Sequence, residues 1–175
     1  MKVRNAFRLF ITRARVHPDP DRLFEQAEAL YNNSKDETDL RRAVSAAYYA
    51  LFHYLLRVAS DLTIGSANRD TPRYNLAYRS IDHARLKTVC SQLKASRLSD
   101  EIQPYEPMGS FGPITDCAKL TLNLQEERIW ADYDPIKHFD AARAQQAIFR
   151  CAGCDYSILS SKCNTARDFF DPVAF

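Results

Sequence analysis

The chain has 175 residues and a formal net charge of +2. This length is enough for one domain with a substantial core that needs neither disulfides nor metal. The small net charge does not by itself indicate a nucleic-acid-binding protein, and a total of 4 glycines argues against a sheet-rich fold with many tight turns.

The N-terminal residues 1–20 form a basic extension, in which Phe7 and Phe10 would allow an extra helix to pack on the domain. The segment has no long apolar core and no small-residue cleavage site, so we do not expect a secretory signal. No apolar run approaches the length needed to cross a membrane. We therefore expect a soluble, cytoplasmic protein without a membrane partner.

The helix pattern begins at the proline-flanked residues 19–21. Asp19 or Asp21 is the expected N-cap, Pro20 falls in the first turn, and Asn32 and Asn33 end this first helix. The second helix is predicted over residues 36–62, which contain neither glycine nor proline. It is apolar over so wide an arc that we expect it to be the central helix of a bundle, or to contact a partner subunit as well.

Three further helices complete the prediction. The third covers residues 76–96, after a polar loop, with its apolar side chains facing inward: Ile81, Leu86, Val89, Cys90 and Leu93. The fourth covers residues 114–130, and the last runs from residue 140 towards residue 167, before a tail at residues 168–175. The pattern is typical of an all-α bundle of about five helices in a single domain, residues 21–167.

The cysteines favour a reducing compartment, because their number is odd, 5, and they show no framework spacing. Cys151 and Cys154 form a C-x2-C pair of the kind found in zinc sites. No second such pair and no nearby histidine pair completes a tetrahedral site. We therefore expect buried helix cysteines that act as small hydrophobes, and no metal or other cofactor.

Polar side chains form a stripe along the second helix at steps of three or four: Arg42, Ser45, Tyr49 and His53. Two interpretations remain open. The stripe is satisfied by carbonyls and water between helices, or it lines a cleft with Arg42 near its mouth to bind an anion, where a histidine can transfer protons.

The end of the fourth helix holds a second polar group, Arg128, Asp132 and Tyr133. Arg128 and Asp132 are four residues apart, so they can form an ion pair that has little energetic value when exposed. Alternatively, the planar guanidinium of Arg128 binds phosphate oxygens, Tyr133 donates to them, and Asp132 orients the arginine or acts as a base.

Three segments taken together, "DLRRAVSAAYYALFHYLLRVA", "IDHARLKTVC" and "LQEERIWADYDP", resemble the HEPN superfamily over about residues 21–149. The likeness is to the branch with a YYA-x-F central helix and an R-x-x-A-D-Y motif. The resemblance implies a compact, usually dimeric helical bundle. Many such proteins are metal-independent endoribonucleases in toxin–antitoxin or antiviral defence systems. Others are non-catalytic RNA or nucleotide binders, often paired with a nucleotidyltransferase.

The resemblance implies roles for particular residues. Arg128 matches the arginine of the family's ribonuclease motif, but the histidine expected four to six residues later is absent, and the next one is His138. Tyr133 matches loosely a tyrosine that receives a nucleotide modification in some members. His83 fits the histidine of the branch's third helix, and Tyr49 lies in its YYA motif.

The expected mechanism follows from these matches. Arg128 would hold the scissile phosphate, and His53 or His83 would act as general acid or base for attack by the 2′-hydroxyl of the RNA. Two copies in a homodimer would form one basic groove for RNA, and an antitoxin or nucleotidyltransferase is a candidate partner. A non-catalytic dimer that binds RNA, nucleotide or protein is the alternative. The position of Arg128 relative to Tyr49, Tyr133 and the histidines would distinguish the two.

Overall fold

The computed structural model describes residues 17–95, 100, 103 and 112–153, and over these residues the chain is helical without strands. The basic extension up to residue 16, the last helix beyond residue 153 and the tail at 168–175 lie outside the described residues. Six α-helices and one short 3-10 turn, Ser66–Asn68, are present in the described part: α1 Pro20–Asn32, α2 Glu37–Ile64, α3 Pro72–Arg79, α4 His83–Lys94, α5 Gly112–Tyr133 and α6 Ala141–Gly153. The predicted all-α bundle is confirmed.

The first helix begins and ends at the residues expected to cap it, and α2 runs two residues past its predicted end at residue 62. Asp19 accepts a hydrogen bond from the Asp21 amide at 3.2 Å, Pro20 is in the first turn, and Asn33 ends α1. Asp36 accepts from the amide of Thr38 at 2.8 Å, so α2 begins where an aspartate side chain satisfies otherwise unpaired amides. α2 ends at Gly65, whose φ of +92° favours glycine.

The single third helix predicted over residues 76–96 is wrong, because the chain forms α3 and α4 instead. α3 ends at Arg79, and Asp82 then caps a new helix by accepting from the Arg85 amide at 2.7 Å. An aspartate competes with the helical backbone for amide hydrogen bonds, so it starts a helix more readily than it continues one. The break also changes which side chains are covered: Val89, expected inside, is 46% exposed.

The supposed loop at residues 63–75 is shorter than predicted. It contains the 3-10 turn, and α3 already begins at Pro72 with Thr71 as its cap. Tyr74 and Tyr78 of α3 are buried against the core. The added helical turn therefore brings two tyrosines next to α2.

The central position of α2 is confirmed, since α1, α3, α5 and α6 all pack against it, while α4 packs on α5. Val44, Ala47, Tyr48 and Leu51 are almost fully buried in this core. A helix covered on so many sides needs apolar residues around most of its circumference, as the sequence has. Its remaining polar side chains must therefore find partners on neighbouring helices.

Cys90 and Cys117 are buried, whereas Cys151, which was predicted to be buried, is only half-buried. Burial raises the pKa of Cys90 to about 11 and that of Cys151 to about 12, so both remain protonated thiols. Cys154 and Cys163 lie outside the described residues. Within the described ranges, no three or more metal-binding side chains lie close together, and no helix is long and apolar enough to cross a bilayer.

Candidate functional site

Arg128 lies where α5 packs on α2, with only 17% of its side chain exposed. Its Nη2 donates a hydrogen bond to the Tyr49 hydroxyl of α2. Its Nε is 2.7 Å from Asp132 Oδ2. The predicted arginine–aspartate pair is therefore present, but it lies between two helices and not on an outer face.

Three aromatic rings surround the guanidinium of Arg128. Its central carbon is 5.2 Å from the ring centre of Tyr49, 5.4 Å from that of Tyr133 and 6.0 Å from that of Tyr48. These distances are within the range of cation–π attraction, which strengthens as water is removed. Tyr133 is 71% exposed, so its ring covers the arginine on the side that faces solvent.

The hydrogen bonding of Arg128 is incomplete. Its Nε is buried 2.7 Å from Asp132 Oδ2, an ion pair without hydrogen-bond geometry, and its Nη1 has no acceptor among the described residues. Burial acts to lower the pKa of Arg128, but the hydrogen bond with Tyr49 and the charge of Asp132 outweigh it, so the pKa lies above its ordinary value. The group is a permanent cation with donor capacity left over.

Asp132 connects the site to α2 a second time. Ser45 donates its hydroxyl to Asp132 Oδ1, while Oδ2 of the same carboxylate faces Arg128. A carboxylate held at both oxygens has little freedom to rotate. Asp132 therefore fixes the orientation of the guanidinium and links α2 to α5.

His83, at the start of α4, belongs to the same cluster. Its Nδ1 is 2.7 Å from the Tyr48 hydroxyl, and its ring lies 4.0 Å from that of Phe52. The side-chain amide of Gln125 donates to the backbone carbonyl of His83 at 3.1 Å. Burial lowers the pKa of His83, and the charge of Arg128 lowers it further, so the imidazole is neutral near neutral pH.

His53 lies on α2, one helical turn after Tyr49. Its Nδ1 is 2.9 Å from the Tyr78 hydroxyl of α3, and its ring stacks on that of Tyr49 with centres 6.4 Å apart. Burial is the main cause of its lowered pKa, followed by the charges of His83 and His17. The second histidine thus reaches Arg128 only through Tyr49.

The predicted stripe is brought together only in part. Ser45, Tyr49 and His53 face α5 and α3 through the hydrogen bonds and ring contacts above. Arg42 is exposed and forms no hydrogen bond or ion pair with any described residue. The arginine expected at the mouth of a cleft is therefore not held in the cluster by the rest of the chain.

Arg41, the residue before Arg42, has the larger structural role, although the sequence patterns did not identify it. Arg41 donates to the carbonyls of Trp130, Ala131 and Asp134 at 3.0 to 3.2 Å, and to that of Lys137. These carbonyls end α5 and begin the connection to α6, so Arg41 caps the helix that carries Arg128. Glu37 and Arg41 are four residues apart, and this spacing predicts their 2.9 Å ion pair. It does not predict that Arg41 also donates to the carbonyls at the end of α5.

Comparison with known proteins adds no further constraint: the chain matches no family model, no curated protein and no solved structure. The geometry of the cluster and the sequence motifs are the grounds for a functional proposal. We refer below to Arg128, Asp132, Tyr49, Tyr48 and His83 as the Arg128 cluster.

Proposed function

We propose that this chain is a HEPN-like, metal-independent endoribonuclease that acts on RNA as a toxin or antiviral defence effector. The observation that carries the proposal is the position of Arg128, held between α2 and α5 by Tyr49 and Asp132 with a neutral histidine in the same cluster. The three sequence motifs that resemble the superfamily supply the residues of this cluster. An isolated surface ion pair would have offered no such support.

Arg128 is the phosphate-binding group in this proposal. A guanidinium offers several donors in one plane, which suits the oxygens of a phosphodiester, and its charge stabilises the additional negative charge of the transition state. Its Nη1, which has no acceptor among the described residues, provides donor capacity for the phosphate. In this proposal Asp132 orients the arginine, and the exposed Tyr133, whose ring centre is 5.4 Å from the guanidinium carbon, would donate its phenol to the same phosphate.

His83 is better placed than His53 to move the proton of the attacking 2′-hydroxyl. It contacts Tyr48, whose ring also faces Arg128, whereas His53 is bound to Tyr78. Burial raises the pKa of Tyr48 well above its ordinary value, so the phenol stays neutral. When Nδ1–H of His83 donates to this phenol, Nε2 carries the lone pair that accepts a proton.

The proposed mechanism departs from the ribonuclease motif of the family at one point. The histidine that would follow Arg128 by four to six residues is replaced by Asp132, Tyr133 and Asp134, and His138 lies on the exposed connection with Glu37 as its partner. The proton-transfer role therefore moves to another helix, α4. This makes His83 the second residue whose replacement should abolish cleavage.

A homodimer in the cytoplasm is the proposed working form, with an antitoxin or nucleotidyltransferase as a possible further partner. Exposed apolar side chains next to the cluster support a contact with a second copy: Ile129 is 41% exposed and Ile136 is 86% exposed. Two copies paired near this end of α5 would place two Arg128 clusters side by side, so that two guanidinium groups could contact one RNA strand.

The test is to incubate the purified protein with total cellular RNA and with tRNA, in a chelator. We expect cleavage by the wild-type chain and none by Arg128→Ala or His83→Ala, with circular dichroism confirming that the variants remain folded. Arg22→Ala is the matched control, because the Arg22 side chain is 77% exposed and its ion pair among the described residues is with Glu25 on α1. Cleavage by Arg128→Ala at the wild-type rate would refute the proposal.

A non-catalytic HEPN-like dimer that binds RNA, nucleotide or protein is the second candidate. The observation that favours it is the carboxylate of Asp132, which occupies part of the space around Arg128 that a phosphate would need. Under this alternative the wild-type chain would bind RNA without cleaving it. Retained RNA at unchanged length in the same incubation would identify this case.

A further inference from the structure

A cavity of about 320 Å³ lies between the start of α1, the middle of α2 and α3, apart from the Arg128 cluster. This volume is at the lower end of the range for small-molecule sites, about 300–1,000 Å³. The residues around it are charged or aromatic: three aspartates and two arginines line it, together with His17, Tyr74 and Tyr78. Nothing in the proposed mechanism uses this space.

The charges of the cavity favour a neutral ligand with both donors and acceptors. Arg57, 20% exposed, is 3.1 Å from Asp21 and 3.9 Å from Asp19. Arg69 forms an ion pair with Asp61, which does not line the cavity. The lining has three aspartates against two arginines, and both arginines are already paired with carboxylates, so an anion is disfavoured and donor groups on the ligand are favoured.

The walls favour a planar ligand. His17 stacks on Tyr78 with ring centres 4.0 Å apart, and its ring centre is 5.7 Å from that of Tyr74. His17 Nε2 is also buried without a hydrogen-bond partner among the described residues. Flat rings with unused hydrogen-bonding capacity are the features with which proteins bind unpaired nucleobases.

Asp21 provides the acceptor. Its side chain is 73% exposed, and Oδ2 accepts from Arg57, while no described residue donates to Oδ1. A carboxylate oxygen of this kind accepts from the amino group of a base, as aspartate does from cytosine. Uracil carries no amino group and would lose this hydrogen bond.

The cavity is connected to the Arg128 cluster by side chains in contact. Tyr78 lines the cavity and is 2.9 Å from His53 Nδ1. His53 stacks on Tyr49, which accepts the hydrogen bond of Arg128. A base in the cavity would therefore lie a few side chains from the proposed phosphate site.

We propose that this cavity binds an amino-bearing nucleobase, stacked against its aromatic wall with the amino group donating to Asp21, and that the base belongs to the RNA strand held at Arg128. The choice of RNA as the source of the base rests on the proposed function. The binding of the base itself does not, since it depends on none of the residues of the Arg128 cluster.

The first experiment measures calorimetric binding of guanosine, adenosine, cytidine and uridine, which lack the phosphate that Arg128 would hold. We expect the three amino-bearing nucleosides to bind more tightly than uridine, and Asp21→Asn to weaken them about tenfold, the effect of replacing a charged hydrogen-bond acceptor by a neutral one. Glu25→Gln, on an exposed carboxylate of α1 outside the cavity, should leave binding unchanged. No binding, or equal binding by Asp21→Asn and wild type, would overturn the proposal.

The second experiment identifies the source of the base through cleavage of a short oligoribonucleotide with one guanosine in a uridine background. If the base belongs to the substrate, Asp21→Asn should raise KM and leave kcat unchanged, and guanosine should compete with the oligoribonucleotide. Stimulation by guanosine without competition would assign the cavity to a free nucleoside and overturn the assignment to the RNA strand.

The two proposals fail separately. Arg128→Ala should lose cleavage and keep Asp21-dependent nucleoside binding. Nucleoside binding by a wild-type chain that cleaves no RNA would refute the proposed ribonuclease alone. Cleavage that is unchanged by Asp21→Asn, together with a lack of nucleoside binding, would refute the cavity proposal alone.

Discussion

Two half-buried arginines on neighbouring helices are used in opposite ways. Arg41, on α2, has 21% of its side chain exposed and Arg128, on α5, has 17%. Arg41 donates to four backbone carbonyls and to Glu37, so its fork is fully occupied by the chain. Among the described residues, Arg128 has one hydrogen bond, one carboxylate 2.7 Å from its Nε and three aromatic rings, which leaves Nη1 without an acceptor.

The difference separates an arginine that maintains the fold from one that is available to a ligand. Carbonyls at a helix end have no helical partner, and an arginine that caps them stabilises the folded chain directly. Aromatic rings attract a guanidinium but do not use its donors. Stability should therefore depend more on Arg41, and the proposed RNA cleavage more on Arg128.

The largest expected effect is on stability at Arg41. Replacing it in Arg41→Ala leaves several carbonyls at the end of α5 without a donor, and we expect the free energy of unfolding to fall by about 2–4 kcal/mol. Urea unfolding followed by circular dichroism measures this. Arg42→Ala is the matched control: Arg42 is the next residue and is exposed, so its loss should change stability by less than about 0.5 kcal/mol. Equal losses in the two variants would contradict the assignment.

Much of the fold could be predicted because it depends on local rules. Asp19, Pro20 and Asn33 mark the ends of α1 by their preferences for helix termini, and the apolar circumference of α2 requires a central position. The split between α3 and α4 was missed because the apolar periodicity continues across it. Asp82 breaks the helix by capping, which periodicity does not register.

The candidate site could be predicted less completely, because it depends on contacts between distant parts of the chain. The steps of three or four on α2 identified Ser45, Tyr49 and His53, which do face other helices. The same spacing included Arg42, which is exposed, and passed over Arg41. Which of two adjacent arginines meets the end of α5 is decided by the packing of α2 on α5, some ninety residues away in sequence.

A smaller effect on stability is expected at Arg128. Arg128→Ala leaves the Tyr49 hydroxyl without its donor, but Asp132 keeps its hydrogen bond from Ser45. We expect a loss of about 1 kcal/mol in the free energy of unfolding, clearly less than for Arg41→Ala. The same urea titration measures both variants. A loss at Arg128 as large as that at Arg41 would mean that both arginines are structural and would weaken the proposed ribonuclease.

The smallest expected effect is a dependence of stability on pH. The Arg128 cluster and the region around Arg41 should lose stability at different pH values. Burial lowers the pKa of His83 and of His53 below the ordinary 6.5. The unfolded chain then binds protons that the folded chain excludes, so the free energy of unfolding falls as the pH drops below about 6.5 and levels off once the folded-state pKa values are passed. Near Arg41 the sign is the same, but the loss comes at a lower pH. The hydrogen bond from Arg41 lowers the pKa of Glu37 below 4.5, so its contribution is complete above that value and is lost only as the pH falls through the lowered pKa.

Urea titrations at steps from about pH 8 to about pH 3 would resolve these two losses. His83→Gln should reduce the loss that begins near pH 6.5 and leave the more acidic one, whereas Glu37→Gln should do the reverse. Because neutral glutamine cannot be protonated in this range, each variant removes one titration from one region. A curve for His83→Gln that still falls as steeply as wild type between about pH 6.5 and pH 5 would show that this imidazole is not buried as a neutral group beside Arg128.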